Sequence, residues 1–160
     1  MMKVRIYAAG TVQITPKLKK QLKEITRRFL LIERMTGGEI ELVLGGDALL
    51  RRLNYNYRGE PRATDVLSFP FLPRLELEKC RNTSKNFVLG EIYISWRKCL
   101  EQALERNIAP SQELKRLTVH GLFHLIGQEH GTWEEEMRMR LQERKFLREM
   151  QRRLRRRRLL

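Results

Sequence analysis

The chain has three histidines, and all of them lie in the segment 120–130 at spacings that suit one metal ion. Each residue of an α-helix turns by about 100°, so His120 and His124 project from the same helix face, one turn apart. A helix that continued would turn His130 away from this pair. Gly127 favours the left-handed conformation that ends helices, so the chain can turn back and bring His130 toward the other two.

Three neutral imidazoles leave one position open on a tetrahedral zinc ion, which is the arrangement of catalytic zinc sites. Water bound at such a position becomes a hydroxide near neutral pH. The pattern therefore predicts a catalytic metal site formed by His120, His124 and His130, at the end of the helix that bears the first two. Nickel or cobalt would also suit three imidazoles.

The spacing His-x-x-x-His-x-x-Gly-x-x-His also resembles that of the metzincin metalloproteases, which carry a glutamate directly after the first histidine as general base. Here that position is Gly121. A general base must then come from elsewhere in the chain, or the metal hydroxide must serve, which argues against peptide hydrolysis.

The elements that position this segment follow from apolar spacing. Alternating residues predict strands over 3–9, 39–44 and 88–95, while Thr15-Pro16 predicts the start of an amphipathic helix. A short helix should follow Gly45-Gly46-Asp47, with a buried side made of Leu49, Leu50, Leu53 and Tyr57. Further helices should start after Ser95, at Pro110 and after Thr132, where Thr132 and Glu135 form a capping box. Residues 73–87 read as a polar, irregular and mobile loop, which should border whatever cleft the fold forms.

Length and composition indicate one domain with a basic tail. A chain of 160 residues can bury one core, which predicts a catalytic domain over 1–154 and a tail over 155–160. The formal net charge of +14 favours a polyanionic partner such as RNA. No apolar run of membrane-spanning length and no signal peptide is present, and Cys80 and Cys99 lack a Cys-x-x-Cys pattern, so we expect a cytoplasmic protein with reduced thiols.

The segment 53–70, which reads as a helix end, a polar loop and a strand, is the second candidate for function. Arg58 lies where a guanidinium group can hold a phosphate through two parallel hydrogen bonds, although an arginine at a helix end also stabilises the helix dipole. Asp65 is either a site carboxylate or an ordinary residue at the start of a strand.

Together these motifs resemble those of the YbeY family of bacterial endoribonucleases. The segment His120–His130 is similar to the family's His-Gly-x-Leu-His-Leu-x-Gly-x-Asp-His, with Glu129 in place of the aspartate. Asn54–Arg58 with Thr64–Phe69 resembles its Asn-x-x-Tyr-Arg and Thr-Asp-Val-Leu-Ser-Phe, and Gly90-Glu91-Ile92 its Gly-Asp/Glu-Ile strand.

The resemblance implies an α+β fold, a single domain with a mixed sheet of about four strands surrounded by helices. It also implies one zinc ion on His120, His124 and His130, with Arg58 as the basic residue of the site. Zinc and Arg58 would neutralise the scissile phosphate, and either a metal hydroxide or the 2′-hydroxyl of the RNA would attack phosphorus. The carboxylates of Asp65, Glu91 and Glu129 are candidates for proton transfer or for orienting a histidine.

The implied function is a zinc-dependent, single-strand-specific endoribonuclease of the cytoplasm. It would act in ribosomal RNA maturation, notably at the 3′ end of 16S rRNA, and in ribosome quality control, with the ribosome or ribosomal proteins as partners. Two alternatives remain at this point. One is a metal-dependent peptidase or other hydrolase, and the other is a ribosome-binding module in which zinc only stabilises the fold.

Overall fold

A computed structural model describes residues 2–83 and 85–158, and the side chains up to Arg153. Four strands and six helices follow each other in the order β1 (Lys3–Ala8), α1 (Pro16–Ile32), β2 (Gly38–Gly45), α2 (Asp47–Arg58), β3 (Val66–Pro70), α3 (Arg74–Cys80), β4 (Phe87–Ser95), α4 (Trp96–Glu105), α5 (Pro110–Leu125) and α6 (Trp133–Arg158). None of the described helices is both long enough and apolar enough to cross a membrane.

The strands form one mixed sheet in the order β1-β2-β4-β3. Strands β1, β2 and β4 run parallel, while β3 pairs with β4 in the antiparallel direction and forms one edge. The α+β fold and the mixed sheet of four strands predicted from the sequence are therefore confirmed.

Helices α1 and α5 cover one face of this sheet, because their apolar stripes face β1, β3 and β4. Phe29 of α1 meets Phe123 of α5 edge to face, with ring centroids 5.0 Å apart. Leu22, Leu30, Leu117 and Leu122 on these helices are at most 1% exposed. Removal of such side chains from water is the main force that holds α5, and with it the first two histidines, against the sheet.

Several local predictions hold in detail. The Thr15 hydroxyl accepts a hydrogen bond from the Leu18 N–H at the start of α1, and the Ser95 hydroxyl accepts one from the Lys98 N–H at the start of α4. Thr132 and Glu135 form the reciprocal capping box at the start of α6. Both cysteines are free thiols.

Two predictions about the first half of the chain are wrong. The segment 73–87 contains helix α3, held by the buried Leu77 and by ion pairs between Glu76 and Lys79 and between Glu78 and Arg81. Ser84 in this segment lies outside the described residues. Tyr57, expected on the buried side of α2, is 68% exposed, since Leu50 and Asn54 are the buried residues of that helix.

Backbone contacts divide the chain into two compact units, Met1–Gly127 and Gln128–Leu160. The first unit contains the sheet and helices α1 to α5, and the second contains α6. The backbone of α6 stays helical through Arg158, while residues 159–160 of the predicted basic tail lie outside the described residues. The assignment of 1–154 to a catalytic domain and of 155–160 to a tail stays a prediction.

Candidate metal centre

The last turns of α5 bring two histidines into direct contact. The Nε2 atoms of His120 and His124 are 3.1 Å apart, and the two rings lie nearly perpendicular with their centroids 4.7 Å apart. Tetrahedral zinc with Zn–N bonds of about 2.0–2.1 Å requires ligand nitrogens about 3.3 Å apart. The pair is therefore already spaced as two ligands of one metal ion.

Helix α5 ends just before Gly127, as the sequence predicted. The regular helix stops at Leu125, and Gly127 takes the left-handed conformation with φ of 81°. One ligand atom from each of His120, His124 and His130 lies within 4.8 Å of the other two, and the first two side chains are half-buried while His130 is exposed. Three imidazoles are a donor set that suits zinc, and the predicted cluster is present.

The backbone of α5 lies very close to the sheet beside the first histidine. The Ser68 hydroxyl of β3 donates to the Gly121 carbonyl oxygen at 3.2 Å. A Cβ atom at Gly121 would lie 2.7 Å from Ile92 Cγ2 and 3.0 Å from Ser68 Oγ. Position 121 therefore has no space for the glutamate that a metzincin-like peptidase carries there.

Arg58 is the last residue of α2 and is exposed. Gly59 follows it in the left-handed conformation, with φ of 70°, and turns the chain into the loop 59–65. The buried Asn54 holds this loop, because its amide donates to the Arg62 carbonyl oxygen at 2.8 Å. Within the described residues, Arg58 has no ion pair, so its guanidinium group remains available for a phosphate.

Asp65 stands at the start of β3 in a network of hydrogen bonds. Its carboxylate accepts from Gln102 Nε2 at 2.9 Å and from the Val66 N–H at 2.8 Å. Arg116 donates both to Gln102 and to the fully buried Glu113, which extends the network to α5. These contacts favour the interpretation of Asp65 as a strand-start residue that ties β3 to α4.

The Asp65 network should make stability depend on pH in the acid range. Burial raises the pKa of this carboxyl, but the hydrogen bonds from Gln102 and Val66 outweigh it and hold the pKa below its ordinary value of 3.8. The charged form therefore stabilises the fold above pH of about 4, and this contribution is lost as pH falls through the lowered pKa. We expect Asp65→Asn to be less stable than the wild type at pH 7 and to lose less stability on acidification. Urea unfolding between pH 7 and pH 3 measures this, and parallel pH profiles for the two proteins would contradict it.

Glu91 lies on the face of the sheet opposite α5, the helix that bears His120 and His124. Its neighbour Ile92 faces α5, and the Glu91 carboxylate accepts a hydrogen bond from the Tyr93 hydroxyl at 2.9 Å. Burial, this hydrogen bond and the charge of Glu91 raise the pKa of Tyr93 to about 12, so the hydroxyl stays protonated at neutral pH. A role for Glu91 as a direct partner of His120 or His124 does not fit this placement.

Comparison with known proteins identifies the family of this chain. The family model described as Endoribonuclease YbeY matches residues 7–151. This chain belongs to the YbeY family. A member from Anaplasma marginale strain Florida is 33% identical over 141 residues, covering 87% of this chain and 86% of that protein. One from Thermodesulfovibrio yellowstonii is 38% identical over 132 residues, covering 80% and 74%. Both relatives are named Endoribonuclease YbeY.

A solved structure is also similar to this YbeY-family chain. The solution structure of a Thermotoga maritima protein matches with a TM-score of 0.59 and 26% sequence identity, covering 92% of this chain and 91% of that one. The fold described above is therefore shared over almost the full length.

An aromatic cluster beside the YbeY motifs was not predicted from the sequence. Aromatic rings from three elements meet on the Glu91 side of the sheet, with Tyr57 and Phe69 centroids 4.7 Å apart and Phe69 and Tyr93 centroids 5.7 Å apart. The signal was present, because Tyr57 belongs to the Asn-x-x-Tyr-Arg motif and Phe69 and Tyr93 alternate with core residues. Their assembly depends on the pairing of β3 with β4, which no short motif specifies.

Proposed function

We propose that this protein is a zinc-dependent, single-strand-specific endoribonuclease that matures ribosomal RNA, notably the 3′ end of 16S rRNA, in the cytoplasm. Membership of the Endoribonuclease YbeY family supports the endoribonuclease role and RNA as the substrate. The observation that carries the proposal is the contact between His120 and His124 at 3.1 Å, which suits a shared metal ion. The formal net charge of +14 supports a polyanionic substrate such as a ribosomal RNA precursor.

The proposed roles follow from the chemistry of each side chain. His120, His124 and His130 hold the ion through neutral imidazole nitrogens, and Arg58 binds the scissile phosphate through its planar pair of N–H donors. Zinc in this site would supply positive charge and Lewis acidity at the phosphate. Nickel or cobalt would bind the same three ligands. Glu129, exposed beside His130, is the carboxylate that we propose for proton transfer.

Substrate turnover tests the proposal. Highly purified protein, stripped of metal with a chelator and then restored with zinc, should cleave a single-stranded fragment spanning the 3′ end of precursor 16S rRNA. The same sequence annealed to its complement should resist cleavage. Salt-sensitive binding of RNA or ribosomal subunits without turnover at any metal concentration would instead support a ribosome-binding module with a structural metal.

Arg58 should contribute to the transition state as well as to binding. We expect Arg58→Ala to lower kcat/KM for RNA cleavage by about 100-fold, since loss of one donor to a developing charge typically costs 10²–10³-fold. Arg58→Lys should recover part of the rate, because an ammonium group supplies charge but no paired donors. Steady-state kinetics with zinc-restored protein measure both variants.

Arg27→Ala is the matched control for this prediction. Arg27 is also an exposed arginine on a helix, α1, so its loss changes net charge by the same amount. Equal kcat/KM values for Arg58→Ala and Arg27→Ala would show that Arg58 does not act in the site.

A further inference from the structure

The aromatic cluster borders an open cleft of about 470 Å³ on the face of the sheet opposite α5. Leu53 and Tyr57 of α2 form one wall, and Phe69, Pro70 and Phe71 form another, with Glu91 and Tyr93 at the side contributed by β4. The volume lies in the range of small-ligand sites, and the cleft combines several flat rings with one carboxylate.

Glu91 has unused hydrogen-bonding capacity in this cleft. In the described part of the chain its carboxylate has a single hydrogen bond, which Oε2 accepts from the Tyr93 hydroxyl. The Oε1 atom and the second lone pair of Oε2 are therefore open to donors from a ligand, and the Tyr93 contact restricts the orientation of the carboxylate. A carboxylate only accepts hydrogen bonds at neutral pH, so a complementary ligand presents N–H groups.

Helix α2 brings arginines to this side of the sheet, while Glu41, the cross-strand neighbour of Glu91, is paired with Arg5. Helix α2, which supplies Leu53 and Tyr57, also carries Arg51, Arg52 and Arg58, all exposed. Within the described residues none of these three guanidinium groups has an ion pair. Proteins bind single-stranded nucleic acid through a combination of arginines and exposed aromatic rings, with phosphates at the cations and bases at the rings. Helix α2 carries both kinds of side chain.

Edge strand β3 contacts both the cleft and helix α5. Ser68 faces α5 and donates to the backbone of Gly121, next to His120, whereas the next residue, Phe69, faces Tyr57 in the cleft. Because β3 is the edge of the sheet, the cleft and the α5 backbone beside His120 lie on the two faces of one edge strand. An extended RNA bound in the cleft would pass around this edge toward α5.

We propose that this cleft is a nucleobase subsite, in which a base flanking the scissile bond stacks on Tyr57 and Phe69 and donates hydrogen bonds to Glu91. The proposal rests on the endoribonuclease function proposed above. Guanine fits best, since its N1–H and exocyclic amino group present two adjacent donors, whereas uracil presents a single N–H. The subsite would thus give the enzyme a preference for guanine near the cleavage site.

Binding of short labelled RNAs to metal-stripped protein tests the subsite without turnover. Fluorescence anisotropy compares single-stranded oligouridylates that carry one central guanine, inosine or uracil. We expect the guanine RNA to bind most tightly and Tyr57→Ala to weaken its binding about tenfold, since stacking of one base typically contributes this much. Tyr57→Phe should bind like the wild type, and Glu91→Gln should lose the preference for guanine over inosine and uracil.

Tyr55→Ala is the matched control, because Tyr55 is 61% exposed on the same helix but does not line the cleft. Wild-type affinity and guanine preference in both the Tyr57→Ala and Glu91→Gln proteins, with thermal unfolding unchanged, would overturn the subsite and favour a protein partner for the cleft. Zinc-restored wild type that binds the guanine RNA selectively but never cleaves it would overturn the endoribonuclease function while leaving the subsite intact.

Discussion

Replacement of His124 by alanine should lower zinc-dependent RNA cleavage by at least about 100-fold. His124 and His120 present their Nε2 atoms to the same point, 3.1 Å apart, and two remaining imidazoles cannot hold the ion in the same geometry. A bound ion would supply positive charge at the phosphate, and electrostatic stabilisation of developing charge is commonly the largest catalytic contribution. Single-turnover cleavage of the precursor fragment, with zinc content determined on the same samples, measures the effect.

Ser111→Ala is a suitable control for the histidine variant. Ser111 lies at the opposite end of α5 and is also half-buried, so this variant tests whether small changes in the helix alone reduce activity. A His124→Ala protein that retains both its zinc and its cleavage rate would show that this histidine is not a ligand. Retained cleavage without zinc would instead indicate a contaminating nuclease.

Gly90→Ala should destabilise the fold by roughly 3–5 kcal/mol, the sum of typical costs for backbone strain and for overpacking. Gly90 has a φ of 151° in the sheet, a conformation that residues with a side chain rarely adopt. A methyl group there would overlap the Phe69 carbonyl oxygen of β3 and lie 2.9 Å from Leu125 Cδ2 of α5. Neither neighbour can move freely, since both belong to the packed layers that position the histidines. Equilibrium urea unfolding measures the change in free energy.

The Gly10→Ala variant distinguishes the cost of backbone strain from the cost of steric overlap. Gly10 also has positive φ, 65°, but no described atom beyond its two chain neighbours lies within 4 Å of an added Cβ. Its replacement should therefore cost only about 1–2 kcal/mol, the usual penalty for a left-handed residue with a side chain. If both variants lost the same free energy of unfolding, the space around Gly90 between Phe69 and Leu125 would be large enough for a methyl group.

Local signals in the sequence predicted the three-histidine cluster well. The spacing of His120 and His124 fixes their common face through helix geometry alone, and Gly127 marks the end of α5 because few other residues adopt positive φ. Thr15, Ser95 and Thr132 likewise identified helix starts, since a cap depends on neighbours within three residues. Features decided by a few adjacent residues can be read from one sequence.

Features that depend on tertiary packing were not predictable in the same way. The Asp65 carboxylate finds its partner in Gln102, 37 residues away. Glu91 lies on the face opposite α5 because α5 packs against the Ile92 side of β4. Tyr57 has the spacing of a buried residue but remains exposed, since α2 packs through Leu50 and Asn54. Helix α3 was missed because a single buried leucine anchors it, which leaves no apolar periodicity to detect.

Titration of metal-stripped protein with zinc, while the initial rate of RNA cleavage is followed, tests the central claim most directly. If His120, His124 and His130 hold the one ion that cleavage requires, the rate should rise from near zero and reach a plateau at one equivalent of zinc per chain. A rate that is already maximal in the stripped protein, or that continues to rise beyond one equivalent, would contradict a single three-histidine catalytic centre.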